Sequence, residues 1–145
     1  MKKILALMFV SVLLASCTGK IVAEPFDRSR EWTEQGLTQS FIFAKGKALM
    51  NPSIFSTDKK RIEARDAALE NARSNMVELI EGSYINEALM VSRLVQGDPS
   101  LEHQISEVIE QNSRIVRTEW SKTDCTVIIR VPRESLKLVG ITLIK

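Results

Sequence analysis

The chain has 145 residues, of which 44% are apolar and 26% charged, with 20 basic and 18 acidic side chains. This composition is typical of a globular protein and excludes an intrinsically disordered one. The small basic excess excludes strong electrostatic attraction to nucleic acid, and the length suffices for one domain.

The N-terminal segment has the composition of a secretory signal peptide. Lys2 and Lys3 form a basic start, residues 4–14 are apolar apart from one serine, and small residues precede Cys17. The apolar run is too short for a permanent membrane span, which needs about 20 residues. Leu14-Ala15-Ser16-Cys17 resembles the bacterial lipoprotein signal, in which the cysteine is acylated and becomes the new N-terminus. An ordinary secreted protein with a chance cysteine is the alternative.

We therefore predict a signal peptide over residues 1–16 and lipidation at Cys17. Acyl chains there would attach the protein to a membrane without a spanning helix. Thr18 differs from the aspartate that retains lipoproteins at the inner membrane, which by resemblance favours the periplasmic face of the outer membrane, with the surface face as the alternative. Removal of residues 1–16 removes two lysines and no acid, so 18 basic residues would balance 18 acidic ones.

The lipidated N-terminus and a tether are predicted over residues 17–36, followed by a single domain over 37–145. The tether segment lacks sustained periodicity and contains one proline, and it ends with a glycine. The segment contains two aromatic residues, which are unusual in a linker. Phe26 and Trp32 either dock on the domain or lie near lipid headgroups, and we favour docking.

The first strand is predicted between Thr38 and Ala48, where aromatic and β-branched residues are frequent. Gly46 within it indicates a bulge or a close approach of another backbone. A break follows at Asn51-Pro52-Ser53.

A long helix is predicted next, capped by Ser56 or Thr57 and ending at Gly82 in the left-handed conformation. Ile62, Leu69 and Met76 recur every seven residues and predict its apolar face, on which Ala72, Leu79 and Ile80 also lie. Four alanines would let its backbone approach a sheet closely: Ala64, Ala67, Ala68 and Ala72.

The second half of the chain predicts a shorter helix and a hairpin. Residues 83–96 fit either a strand or a helix, and we favour a strand at Leu89–Val95. Asp98 and Pro99 begin a helix that ends at Asn112. Its predicted apolar face contains Leu101, Ile105, Val108 and Ile109.

Arg114–Lys122 and Cys125–Arg133 are predicted to form the two arms of a β-hairpin. The short apolar segment Leu136–Ile144 is predicted as one more strand. It would pair within its own sheet, or alternatively extend the sheet of a neighbouring subunit.

The sequence offers little chemistry for catalysis. After acylation of Cys17, Cys125 would be the single free thiol, and we interpret it as a buried small hydrophobe, with an intermolecular disulfide as the alternative. His103 has polar neighbours and is interpreted as a solvated surface residue. Metal-ligand spacings, phosphate-binding glycine loops and nucleophile motifs do not occur in the sequence. We expect no enzymatic activity, no cofactor and no metal.

Three segments carry a resemblance to a known family. They are FIFAKGKAL at 41–49, KKRIEARDAALENARSNMVELIEG at 59–82, and HQISEVIEQNSRIVRTEW at 103–120 followed by CTVIIRVP. Together with the lipoprotein signal they resemble the small bacterial lipoproteins named after the Helicobacter membrane lipoprotein of roughly twenty kilodaltons, a family that includes the flagellar lipoprotein FlgP. This chain departs from it at Asn112-Ser113 and in its apolar C-terminal extension.

The resemblance implies an α+β domain with one long and one short helix on one face of a small antiparallel sheet. It also implies a non-catalytic, structural or assembly role in the cell envelope, homo-oligomers or envelope proteins as partners, and, for the flagellar branch, rings of subunits around the motor. A binding module for peptidoglycan, a ligand or a host surface is the alternative function.

Overall fold

The computed structural model describes residues 32–144, so the predicted signal peptide and Cys17 lie outside the described part. Strands and helices alternate irregularly along this part. In chain order they are β1 (Gly36–Leu37), β2 (Phe41–Leu49), α1 (Thr57–Glu81), β3 (Tyr84–Asn86), β4 (Leu89–Met90), α2 (Val91–Gly97), α3 (Ser100–Asn112), β5 (Arg114–Trp120), β6 (Asp124–Pro132) and a 3₁₀ helix (Arg133–Val139).

Four strands form an antiparallel sheet in the order β1-β2-β6-β5, and β3 pairs with β4 in a separate small hairpin. β2 and β6 pair over their full length, from Phe41 opposite Pro132 to Leu49 opposite Asp124. The apolar side chains of α1 and α3 share one buried cluster with alternate residues of β2 and β6. The α+β class predicted from the sequence is confirmed.

The long helix lies unusually close to β2, and Gly46 makes this possible. A Cβ atom at position 46 would lie 2.1 Å from the Ala68 carbonyl oxygen and 2.2 Å from the Ala72 nitrogen. Such distances are far inside van der Waals contact, so only glycine fits there. The close backbone approach predicted at Gly46 is confirmed, and the β2–β6 register is continuous through it.

The buried face of α1 is a stripe of residues four apart, and it includes the predicted Ala72, Met76 and Ile80. Its members are Ala64, Ala68, Ala72, Met76 and Ile80. Leu69 and Leu79, also predicted on this face, are partly buried against the core. Ile62 is 58% exposed, so its predicted place in the core is wrong. Alanines occupy the interface where the helix approaches Gly46, and the larger side chains follow toward its C-terminal end.

The two ends of α1 differ in how well they were predicted. The Ser56 hydroxyl accepts a hydrogen bond from the Lys59 amide at 3.4 Å, which confirms the N-terminal cap. At the other end Gly82 has φ −72°, so the predicted left-handed cap is wrong. The helix ends there because the chain turns directly into β3, and the Ser83 hydroxyl donates to the Leu79 carbonyl at 2.6 Å.

The strand predicted at Leu89–Val95 is wrong except for its first two residues. Leu89–Met90 is the second arm of the small hairpin, and the chain then forms α2. Val91 is buried and Leu94 and Val95 are half-buried. Spacings of three and four residues suit a helix with one buried side.

The following elements agree with the sequence. The Asp98 carboxylate accepts from the Ser100 amide at 3.0 Å at the start of α3. The helix ends at Asn112, and its buried residues are the four predicted ones: Leu101, Ile105, Val108 and Ile109. The β5–β6 hairpin is also present, with an irregularity between Ile115 and Arg117 that the sequence did not indicate.

The C-terminal strand predicted at Leu136–Ile144 is wrong. The chain leaves β6 at Pro132, forms the 3₁₀ helix, and turns at Gly140, whose φ is +76°. Leu136, Ile141 and Leu143 are buried in the main cluster. Pro132 has no N–H with which to continue the ladder, so the segment covers the end of the core instead of extending a sheet.

Candidate functional site

The segment that arrives from the N-terminus packs on the sheet face opposite the helices. The Trp32 ring lies edge-on to Phe43, with ring centroids 5.7 Å apart. The Lys45 ammonium donates to the Glu34 carboxylate at 2.8 Å, and this hydrogen bond and charge lower the pKa of Glu34. The part of the predicted tether nearest the domain is therefore docked, as we favoured for Trp32. Phe26 lies outside the described residues.

The free edge of β2 beyond β1 is covered by side chains from α1. The Asn75 amide donates to the Lys45 carbonyl at 2.7 Å, and the Asn71 amide donates to the Lys47 carbonyl at 2.8 Å. These carbonyl groups point away from β6 and would otherwise be open to another strand. The two asparagines, one helical turn apart, thus close this edge to pairing with another chain.

Arg133 ties the C-terminal segment to the start of the sheet. One guanidinium nitrogen donates to the Thr38 carbonyl at 2.9 Å, and the other donates to the Leu143 carbonyl at 2.8 Å and the Ile144 carbonyl at 3.1 Å. Each partner is a backbone oxygen, so the planar fork joins two chain segments and keeps its charge. We call this arrangement the Arg133 clasp.

An open cleft of about 530 Å³ lies beside the Arg133 clasp, lined by Leu37, Thr38, Gln39, Ser83, Tyr84 and Ile144. Its lining is mainly apolar, with the exposed ring of Tyr84 at the rim. Because the Arg133 donors already bind carbonyl groups, a ligand there would meet apolar surface and neutral polar side chains. The cleft suits a neutral or weakly polar group.

Cys125 is fully buried in β6, as predicted. Burial raises the pKa of its thiol, and the nearby Asp124 carboxylate acts in the same direction. A buried thiol with a raised pKa is a poor nucleophile and cannot reach a second chain. This geometry argues against the intermolecular disulfide.

His103 lies on the exposed side of α3, with a side chain that is 80% exposed. Its Nε2 atom is 3.6 Å from a Glu107 carboxylate oxygen, as expected for a surface pair one helical turn apart. Within residues 32–144, no group of three or more metal-ligating side chains is close enough to hold an ion. None of the helices in this same part of the chain is long and apolar enough to cross a membrane.

The residues that the sequence singled out differ from those that make the main contacts in the structure. Lipidation at Cys17 stays a prediction, because that residue lies outside the described part. The Arg133 clasp and the asparagine pair on α1 were not predicted. An arginine after a proline carries no local signal of its carbonyl partners, which come from segments far apart in sequence.

No protein-family model matches the chain. Among curated proteins, none is similar enough to count as a relative.

Proposed function

We propose that this chain is a non-enzymatic lipoprotein, anchored through acyl chains on Cys17 to the periplasmic face of the outer membrane, with a structural or assembly role in the envelope. The observation that carries this proposal is the sequence Leu14-Ala15-Ser16-Cys17 behind a short apolar run. A closed core, a buried thiol and an exposed single histidine are consistent with a role that needs no chemistry.

The packing of the tether supports the anchored arrangement. Because Trp32 and Glu34 are held on the sheet, only about 15 residues separate the domain from Cys17. Even a fully extended chain of that length spans at most about 50 Å. The domain would thus stay within that distance of the lipid surface.

Metabolic labelling with an alkyne analogue of palmitate tests the anchor. Wild-type protein should be labelled and should fractionate with membranes, and Cys17→Ala should lose both properties. Cys125→Ala is the matched control, because it removes the other cysteine, and it should keep the label. An unlabelled wild-type protein, or a labelled Cys17→Ala protein, would overturn the anchor.

Within the assembly role, we propose a flagellar motor component as the specific case, on the strength of the sequence resemblance. Deletion of the gene should reduce swimming in soft agar, and expression of the wild-type chain should restore it. The native protein extracted in mild detergent should be larger than a monomer. Normal swimming of the deletion strain would contradict the flagellar case.

An envelope binding module is the second candidate, favoured by the cleft beside the Arg133 clasp. Tyr84→Ala should then reduce binding of a neutral, weakly polar probe such as N-phenyl-1-naphthylamine, whereas Leu138→Ala, an exposed site away from the cleft lining, should not. Equal binding by both variants would contradict a role for the cleft.

A further inference from the structure

One end of the domain exposes several large apolar side chains. Phe55 is fully exposed, Leu49 is 74% exposed, and Ile62 and Trp120 are each exposed by more than two fifths. Phe55 directly precedes the helix cap, where an apolar side chain often packs against the fourth helical residue. That residue here is Lys60, so the usual packing partner is missing.

These side chains belong to one end of the sheet. The Met50 amide donates to the Thr123 carbonyl at 2.8 Å, which joins the loop after β2 to the β5–β6 turn. The Arg61 guanidinium lies 5.7 Å from the Trp120 ring centroid, which joins the start of α1 to the end of β5. We call Leu49, Phe55, Ile62 and Trp120, together with Lys59, Lys60 and Arg61, the tip surface.

The charge on this end is basic. Residues 47–62 and 120–124 contain five cations and two acids. One of these acids, Asp124, already pairs with Lys47 at 3.1 Å, and that hydrogen bond lowers the pKa of the Asp124 carboxyl. The three consecutive cations Lys59–Arg61 have no acidic partner among the ion pairs found in the described residues.

Most charges near the ends of α1 oppose its dipole. Cations are favourable at the C-terminus of a helix and unfavourable at its N-terminus. Asp58 in the first turn has the favourable sign, but Lys59, Lys60 and Arg61 follow it, and the last turn has no basic residue. The helix dipole therefore does not explain the position of these three cations.

The N-terminal segment reaches the sheet beside the middle of β2. Leu37 lies opposite Ile42 and Gly36 opposite Phe43, Glu34 pairs with Lys45, and Trp32 packs back against Phe43. The exposure and charge of the tip surface therefore stand apart from this segment and do not depend on the proposed lipidation.

We propose that the tip surface docks on an anionic phospholipid bilayer and is a second membrane contact, separate from the lipid on Cys17. Phe55 and Leu49 enter the boundary between headgroups and acyl chains, where aromatic and aliphatic side chains are stable. Lys59, Lys60 and Arg61 lie against the lipid phosphates. The domain then stands with its sheet strands pointing at the membrane and its Arg133 clasp away from it.

Binding to vesicles tests the membrane contact of the tip surface in a protein that has no lipid anchor. The chain from residue 17 onward, carrying Cys17→Ser so that no acyl group can form, is mixed with vesicles of phosphatidylcholine or of phosphatidylcholine and phosphatidylglycerol in equal parts. The protein should float with the anionic vesicles at low salt and be released at high salt. In a Trp32→Phe background, Trp120 fluorescence should shift to the blue on binding.

Matched variants separate the apolar contribution to vesicle binding from the electrostatic one. Leu49→Ser and Phe55→Ser should each weaken the partition into anionic vesicles by roughly tenfold. Leu138→Ser is the control, because Leu138 is 75% exposed but lies in the C-terminal 3₁₀ helix. Lys59→Gln, Lys60→Gln and Arg61→Gln should each weaken partition by about fivefold, and Arg93→Gln should not.

Three results would overturn the proposal. One is the absence of binding to anionic vesicles by folded wild-type protein. Another is equal binding by the tip variants and their controls. The third is self-association or capture of another protein that depends on Phe55 while vesicles are not bound, which would assign the tip surface to a protein partner. Because position 17 is serine throughout, failure of the lipidation proposal cannot produce any of these results.

Discussion

The tip surface exposes apolar side chains beside cations, whereas the opposite end of the domain buries three large apolar side chains and is richer in acids. There the C-terminal segment places Leu136, Ile141 and Leu143 in the core, and the Arg133 clasp fixes that segment in place, while Tyr84 and Leu138 stay exposed. Residues 78–102 and 133–144 together contain six acids and three cations. The two ends of the sheet therefore carry net charges of opposite sign.

The two ends differ in whether large apolar side chains contribute to the buried core or remain exposed to solvent. The end with the Arg133 clasp lies about 25–30 Å from the tip surface, which is the length of a nine-residue strand. Leu138 and Tyr84 are exposed at the clasp end, but the tip surface combines a fully exposed aromatic ring with three consecutive cations. That combination is explained if the tip surface meets an anionic surface in the assembled envelope.

The contact that holds the two ends in one rigid body is the approach of α1 to Gly46. Gly46→Val would place side-chain atoms inside the backbone of α1, and we expect a loss of about 3 kcal/mol or more in the free energy of unfolding. Urea denaturation measures it. Gly97→Ala is the control, because a Cβ there has no atom within 4 Å, and it should leave the midpoint nearly unchanged. Equal stability of both variants would contradict the close approach.

Substitution of Arg133 should cause the next largest loss of stability. Arg133→Ala removes hydrogen bonds to the Thr38, Leu143 and Ile144 carbonyls, and we expect a loss of about 2–3 kcal/mol. Arg133→Lys should restore only part of it, because an ammonium cannot span both segments. Hydrogen exchange should show faster exchange of the Ile144 amide, which donates to the Tyr84 carbonyl. An unchanged rate there would contradict the clasp.

Opening the covered sheet edge should have a smaller effect on stability and a visible one on association. Asn71→Ala with Asn75→Ala frees the Lys45 and Lys47 carbonyls, at a cost of about 1 kcal/mol for each lost hydrogen bond. Because the exposed edge can then pair with another strand, sedimentation velocity should show more self-association than in wild type. Ser74→Ala, on the exposed side of the same helix, is the control and should behave as wild type. No increase in association would contradict the protective role.

Substitution of Glu81, at the acidic end, should have the smallest effect on stability. Burial, with the Glu102 and Glu78 carboxylates, raises the pKa of Glu81 above 4.5 in the folded state. Ionised Glu81 therefore lowers the stability of the fold at neutral pH. This loss disappears at low pH, where the carboxyl is neutral in the folded and the unfolded states. Glu81→Gln should raise stability by about 0.2–0.5 kcal/mol at pH 7 and leave it unchanged near pH 3. Thermal unfolding at the two pH values measures this, and a loss of stability at pH 7 would contradict it.

Much of the fold followed from local sequence signals. The cap at Ser56, the buried face of α3 and the β5–β6 hairpin each depend on residues close together in the chain. Gly46 was informative because a glycine within a strand has few explanations, one of which is a close neighbour.

The errors came from interactions between distant segments. A heptad containing Ile62 was a reasonable core face until the Gly46 contact set the rotation of α1. The C-terminal segment was apolar enough for a strand, but Arg133 and the open end of the core determined its conformation. The tip surface was not predicted either, since exposure of Phe55 depends on what the rest of the fold leaves uncovered.

The orientation of the anchored protein tests the central claim most directly. Phe55→Cys and Leu138→Cys, made separately in the full-length protein isolated with its membrane, each provide one exposed thiol, because Cys125 is buried and the proposed acylation would block Cys17. A fluorophore on each thiol is then exposed to nitroxide quenchers carried by the membrane lipids. We predict strong quenching at position 55 and little at position 138. Equal quenching at the two positions, or stronger quenching at 138, would contradict a domain that meets the membrane with its tip surface.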